Sequence, residues 1–256
     1  MMKPTILKTK EQIDKIREAG KYTNELLTLI QDYCKPWVAL EDVDFFANHY
    51  LSSRNLKSAF KWYQWYPGYT CLSVNDCVVH GIPDRYVLKP WDLLKIDMWI
   101  DYKWWISDSA VSIVIWWFAA NKKGAQLIDS TKNALDNALQ YITIWNTVQD
   151  FGRAVYDTVR KDGFRIIKQL TWHWVGAKVH EWPYIYNRPA PGTQYIAFEE
   201  NMVLALEPIT ALKSEKIFTK GRNNWNLYTQ YGDIWAQREY TVWINSNGYE
   251  ILSGLI

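Results

Sequence analysis

The stretch Lys95–Ser112, KIDMWIDYKWWISDSAVS, constrains the fold more than any other. Isoleucine, valine and aromatic residues fill it, and a polar break at Asp101-Tyr102-Lys103 divides it, which predicts a β-hairpin. A turn centred between Tyr102 and Lys103 sets Asp97 directly opposite Asp108, on one face, with Cβ atoms about 4.5–5.5 Å apart. Two carboxylates held that way repel. One keeps its proton, as in a carboxylate dyad, or a cation lies between them. A turn mis-centred by a residue is expected to put the two acids on opposite faces and to remove the constraint.

The rest of the chain is long enough to surround such a hairpin. Its 256 residues can bury a large core, as one domain or two small ones. With 29 basic and 27 acidic side chains, its net charge of +2 points away from nucleic acid and from a charged membrane surface. No apolar run reaches the roughly 18 residues of a membrane span, and the first residues lack the apolar core of a signal peptide. Cys34, Cys71 and Cys77 show neither zinc spacing nor a disulfide framework, so a reducing compartment is expected. Sixteen tryptophans are the compositional anomaly.

Two similar halves follow from the order of elements. Thr9-Lys10-Glu11-Gln12 has capping-box form and opens a helix carrying Ile13, Ile16, Ala19, Leu26, Leu27 and Ile30, which Pro36 closes. A shorter helix fits Leu40–Leu51, with strands and loops from Ala59 to Ile82 and the acidic hairpin after them. The order then repeats: a long helix over Lys123–Ile142, a shorter one capped by Thr147 and stopped at Gly163, then strands over Ile166–Val175, Met202–Ile209 and Ile234–Ile244. The expectation is an α+β protein of two pseudo-symmetric halves, about 1–120 and 121–256, with a site between them.

The second half also carries isolated polar residues in apolar strands. Glu207 closes Met202–Leu206 and, if buried, needs a donor or a metal; the alternative is an exposed strand end paired with a lysine. Glu239 shares the polar face of an alternating strand with Gln237 and Thr241, a pattern more usual for a solvated face. His173 stands among aromatics, where a histidine is usually a hydrogen-bonded core residue. Taken in order, Asp97, Asp108, His173, Glu207 and Glu239 make a donor set suited to two hard or borderline divalent ions.

These residues and their settings resemble the type I methionine aminopeptidases. The segments carrying the resemblance are Tyr66–Asp76, Val79–Pro83, Asp97 with Asp108-Ser109, Thr171–Gly176, His180–Pro183, Leu206–Pro208 and Ala236–Glu239, from about Thr9 to the C-terminus. The resemblance implies the pita-bread α+β fold as one domain, and removal of the initiator methionine from nascent chains and peptides. It implies two divalent ions (Co, Mn, Fe, Zn or Ni), with Asp97 holding one, Asp108 and Glu239 bridging, and His173 with Glu207 holding the other. It makes Glu207 the proton carrier and His80 and His180 the histidines that contact the scissile peptide. Tyr63, Cys71, Val179 and Trp225 become walls of the methionine pocket. A cytoplasmic monomer is expected, with no nucleic-acid or membrane partner. A non-catalytic peptide-binding domain of the same fold and a proline-directed peptidase are the competing readings.

The chain departs from the family pattern in one direction. Tryptophan stands at Trp37, Trp65, Trp91, Trp104, Trp172 and Trp174 where the family usually has glycine, the mark of an engineered or altered sequence. The family's Gly-Asp-Thr-Ser becomes Ser107-Asp108-Ser109-Ala110, and its Glu-His-Thr becomes Glu239-Tyr240-Thr241. These departures bear on activity more than on fold. For Trp172 and Trp174 two outcomes follow: an extended backbone with both indoles turned away from His173, or positive φ with strain.

Overall fold

The computed structural model describes residues 6–116, 118–220 and 225–255. Helix α1 (Lys10–Tyr33) starts at the Thr9 capping box, in which the Thr9 hydroxyl accepts from the Gln12 N–H and the Gln12 side chain accepts from the Thr9 N–H. Its buried stripe, Ile13 to Ile30, is the periodic set read from the sequence. Helix α2 (Leu40–Ser53) follows. Together they cover one face of the hairpin Leu93–Tyr102 and Trp105–Val114, with Leu94, Ile96, Met98 and Val111 in the shared core. Strand Cys71–Val74 pairs along the outer edge of the hairpin's first strand.

The second half repeats the plan. Helix α3 (Lys122–Leu139) and helix α4 (Val148–Lys161) pack on each other and bury Leu135, Phe151 and Val155. At the start of α4, Asp150 accepts from both the N–H and the hydroxyl of Thr147, and the helix ends before Gly163 at φ 85°. Beneath lies a five-stranded antiparallel sheet in the order Gly248–Ser253, Tyr240–Asn245, Val203–Leu206, Thr171–Trp174, Glu181–Tyr186. The three long strands expected here are each broken. Arg165–Ile166 separates from Thr171–Trp174, Ile209–Ala211 from Val203–Leu206, and Trp235–Gln237 from Tyr240–Asn245. Pro208 interrupts the second, and the third breaks at Arg238-Glu239.

The hairpin register corrects the turn but keeps the face. The loop is Lys103-Trp104, so Asp97 pairs with Ala110 and Asp108 with Trp99. Asp97 and Asp108 are therefore diagonal neighbours on one face and not directly opposite. Moving the turn centre by a whole residue shifts each pairing by two positions, which preserves alternation. The flip of face expected from a one-residue error does not follow.

The halves are joined along the second hairpin strand. Asp108 N–H donates to the Thr241 hydroxyl at 3.0 Å, and that hydroxyl donates back to the Asp108 carbonyl at 2.7 Å. Glu239 N–H donates to the Ala110 carbonyl at 3.0 Å, and Gln237 N–H to the Ser112 hydroxyl at 2.9 Å. At the other edge a close approach needs glycine: a Cβ on Gly20 would lie 2.1 Å from the Leu252 carbonyl oxygen, so α1 rests directly on the C-terminal strand.

Candidate metal centre

Five polar side chains from five strand segments meet where the halves join. Asp97 and Asp108 come from the hairpin, His173 from Thr171–Trp174, Glu207 from the end of Val203–Leu206, and Glu239 from the break before Tyr240. All five are buried. One donor atom from each of Asp108, His173 and Glu239 lies within 4.8 Å of the others. His173 Nε2 is 3.7 Å from Asp108 Oδ2 and 3.6 Å from Glu207 Oε1.

The tautomer of His173 decides how these contacts are read. Its Nδ1 lies 3.1 Å from the Trp174 carbonyl oxygen, which can only accept, so Nδ1 carries the hydrogen. Burial, aided by His180, pushes the imidazole down to about 3, so the ring is neutral. Nε2 then presents a lone pair to two carboxylates. Neither contact is an ion pair: lone pairs facing carboxylate oxygens are repulsive unless a proton or a cation lies among them.

The carboxylates tell the same story. Burial, then the Glu239 charge, drives Asp97 and Asp108 well above the usual range, and burial with Glu239 and Asp97 does so for Glu207. Burial raises Glu239 to about 8. Asp97 Oδ1 and Asp108 Oδ1 have no hydrogen-bond partner although fully enclosed. Four carboxylates and one neutral imidazole, with orphaned oxygens converging, fit hard or borderline divalent ions. The protein otherwise leaves several kcal/mol of desolvation uncompensated.

Around the centre, neighbours hold the donors. Gln237 Nε2 donates to Glu207 Oε2 at 3.1 Å, and Asn187 Nδ2 to the Glu207 carbonyl at 2.9 Å. Glu207 is thus no exposed strand end, and its partner is an amide and not a lysine. Gln237, Glu239 and Thr241 share a face, as their alternation implied, but that face is buried against the hairpin and not solvated. Alternation identified the face; only the second half-sheet lying against it made it internal. Gln237 and Asn187 belong to the site by their hydrogen bonds to Glu207, and only Gln237 carries a sequence signal for it, its place two positions before Glu239.

A cleft of about 310 Å³ opens beside the centre, lined by Tyr63, His80, His180, Tyr184, Glu207 and Trp225 among others. The His180 ring centroid is 4.4 Å from that of His173, and His180 Nδ1 lies 3.0 Å from the Tyr63 hydroxyl. Burial lowers both cleft histidines to about 4, so both are neutral near pH 7. Trp225 meets His80 edge-on at 5.5 Å. Cys71 and Val179 do not line the cleft; they are buried in the apolar cluster behind it, with Tyr66 and Trp99.

Trp172 and Trp174 have the extended backbone of a strand and not positive φ. Their indoles stack at 5.8 Å in the core of the second half, on the face away from His173. Both Nε1–H groups lack a partner.

Residues 14–246 match the sequence profile described as metallopeptidase family M24. The chain is 32% identical over 257 residues to a methionine aminopeptidase of Aquifex aeolicus, covering 97% of this chain and 98% of that one. It is 34% identical over 248 residues to a methionine aminopeptidase of Mycoplasma capricolum, covering 96% and 97%. The crystal structure of the Thermotoga maritima methionine aminopeptidase superimposes with a TM-score of 0.92 at 30% identity, covering all of both chains. The prolidase of Pyrococcus furiosus shares the fold alone, with a TM-score of 0.78 at 20% identity over 98% of this chain and 66% of that one. The two-halved α+β architecture is the pita-bread fold.

Proposed function

The chain belongs to metallopeptidase family M24, and from that premise we propose that it is a dinuclear methionyl aminopeptidase, a hydrolase that removes the initiator methionine from nascent chains and peptides. The observation that carries this reading is the meeting of five buried donors around a neutral His173 whose bare Nε2 faces two carboxylates. Asp97 with Asp108 and Glu239 would hold one divalent ion, and His173 and Glu207, alongside the same two carboxylates, would hold the second. Bound there, the ions would supply Lewis-acid polarisation of the scissile carbonyl and a water of lowered pKa.

The chain's own residues account for the remaining work. Gln237 donates to Glu207 Oε2 and so fixes the orientation of the carboxylate whose Oε1 faces His173, the group proposed to take up and pass on a proton. His80 and His180, neutral and on the cleft wall, can donate N–H groups to the peptide as charge develops on it. The Tyr63 hydroxyl orients the His180 ring. Trp225 and Tyr63 offer apolar walls beside the centre, with Cys71 and Val179 behind them, suited to a thioether side chain. We further propose a single domain of two halves acting as a cytoplasmic monomer, without nucleic-acid or membrane partners; among the described residues no helix is long and apolar enough to cross a membrane.

Metal analysis of the purified protein, followed by hydrolysis of a Met-Ala-Ser peptide, tests the proposal. Bound divalent metal and release of free methionine are expected. A metal-loaded protein that leaves the peptide intact would return it to the non-catalytic members of the fold.

A further inference from the structure

Five tryptophans occupy backbone geometry that suits glycine. Trp37, Trp62, Trp65, Trp104 and Trp116 have φ of 76, 67, 70, 72 and 73°. In this left-handed region a Cβ crowds the following carbonyl oxygen, and a bulky side chain is a genuine outlier. Twelve non-glycine residues have positive φ among the described residues; three are asparagines, the usual exception, and five are tryptophans. Trp104 is the plainest case. It is the second residue of the two-residue loop Lys103-Trp104, with both φ positive, where glycine is the preferred occupant of a type I′ hairpin turn.

The indoles bring no compensating burial. All five side chains stand in solvent, from 66% exposed at Trp62 to 84% at Trp65. The contacts of Lys57 with Trp104 and Lys61 with Trp62 are exposed cation–π pairs, which contribute little. Trp99 and Trp225 behave as the residue should. Trp99 is 4% exposed and stacks on Phe60 at 3.7 Å, and Trp225 packs edge-on to Tyr66 at 5.2 Å. Composition leans the same way: 12 glycines in 256 residues is below the usual share of about 7%, beside 16 tryptophans.

We propose that the cell inserts glycine, not tryptophan, at Trp37, Trp62, Trp65, Trp104 and Trp116, through UGA codons that the source organism reads as glycine. UGA is read as tryptophan under some genetic codes and as glycine under others, so one reassigned codon yields scattered exchanges in one direction. Random substitution gives no such direction, and it does not favour the left-handed backbone at which these five tryptophans stand. The assignment is independent of the activity proposed above but touches the same site. Trp62 and Trp65 flank the cleft residues Tyr63 and Gln64, and Trp104 turns the hairpin that carries Asp97 and Asp108.

Peptide mass spectrometry of the protein isolated from its source organism, read against its gene, tests the assignment. Glycine at all five positions over UGA codons, with UGG at Trp225, is expected. Tryptophan-bearing peptides at these positions, or UGG codons there, would overturn it. Independently, a recombinant chain with all five Trp→Gly exchanges should melt on the order of 10 °C above the tryptophan form. An equal or lower Tm would show that this backbone does not call for glycine.

Discussion

Strand Thr171–Trp174 separates two regions that both bury unsatisfied polar atoms, with opposite meaning. On the His173 side, Asp97 Oδ1 and Asp108 Oδ1 lack partners, but they converge with Glu207, Glu239 and a bare imidazole nitrogen. On the other side, the Nε1–H groups of Trp172 and Trp174 lack partners amid Phe151, Leu204 and Val242. A single ligand of positive charge can satisfy the first group together. Nothing of the kind serves two parallel indoles stacked in an apolar core, each losing about 1–3 kcal/mol of desolvation. Convergence, more than burial or the lack of a partner, is what marks a site.

The comparison breaks most visibly at the centre itself. Asp108→Ala should abolish metal retention and lower kcat/KM on the order of 10⁴-fold or more, since Lewis-acid stabilisation worth several kcal/mol goes with the ions. Elemental analysis alongside peptide hydrolysis checks this; a metal-free variant with ordinary activity would remove the centre from the chemistry. One step outward, His80→Ala should lower kcat on the order of 10²–10⁴-fold with metal content unchanged. Loss of metal in that variant would mean that the cleft histidine is a ligand after all.

Proton linkage sharpens the contrast. In the metal-free protein Glu239 sits near 8 by burial, above its ordinary value of 4.5. The folded state therefore holds a proton that the unfolded chain has released. Its contribution is full below the unfolded pKa and is lost as pH rises from about 4.5 toward 8, by roughly a few kcal/mol. Tm of the metal-free form should fall across that window, and saturating divalent metal should flatten the fall. A metal-free protein whose stability is level from pH 5 to about 8 would mean that these carboxylates are compensated in some other way.

The smallest effect lies on the indole side. Trp172→Phe keeps a ring and deletes the orphaned donor, so urea unfolding should move by no more than about 1 kcal/mol, whereas Trp172→Ala should cost about 3–5 kcal/mol. Equal losses in the two variants would indicate that Nε1–H has a partner.

Local pattern carried much of this protein. The Thr9 capping box, the apolar stripe of α1, the repeat of long and short helices, and the shared face of Asp97 and Asp108 all rest on periods of 3.6 and 2, which are properties of short stretches. The candidate donors Asp97, Asp108, His173, Glu207 and Glu239 stood out only as an ordered set: Glu207 because a buried carboxylate in an apolar strand requires a partner, whereas Glu239 and His173, taken singly, suggested a solvated face and a core histidine. Tertiary structure decided the rest. It set Asp97 and Asp108 diagonally, because the turn is chosen by Lys103-Trp104 and by what packs on both sides of the hairpin. It buried the face of Gln237, Glu239 and Thr241, which alternation alone left open to solvent. It placed Cys71 and Val179 behind the cleft wall and brought Gln237 to Glu207. Side-chain alternation says which residues share a face; only the second layer of the fold says whether that face meets water, a core or an ion.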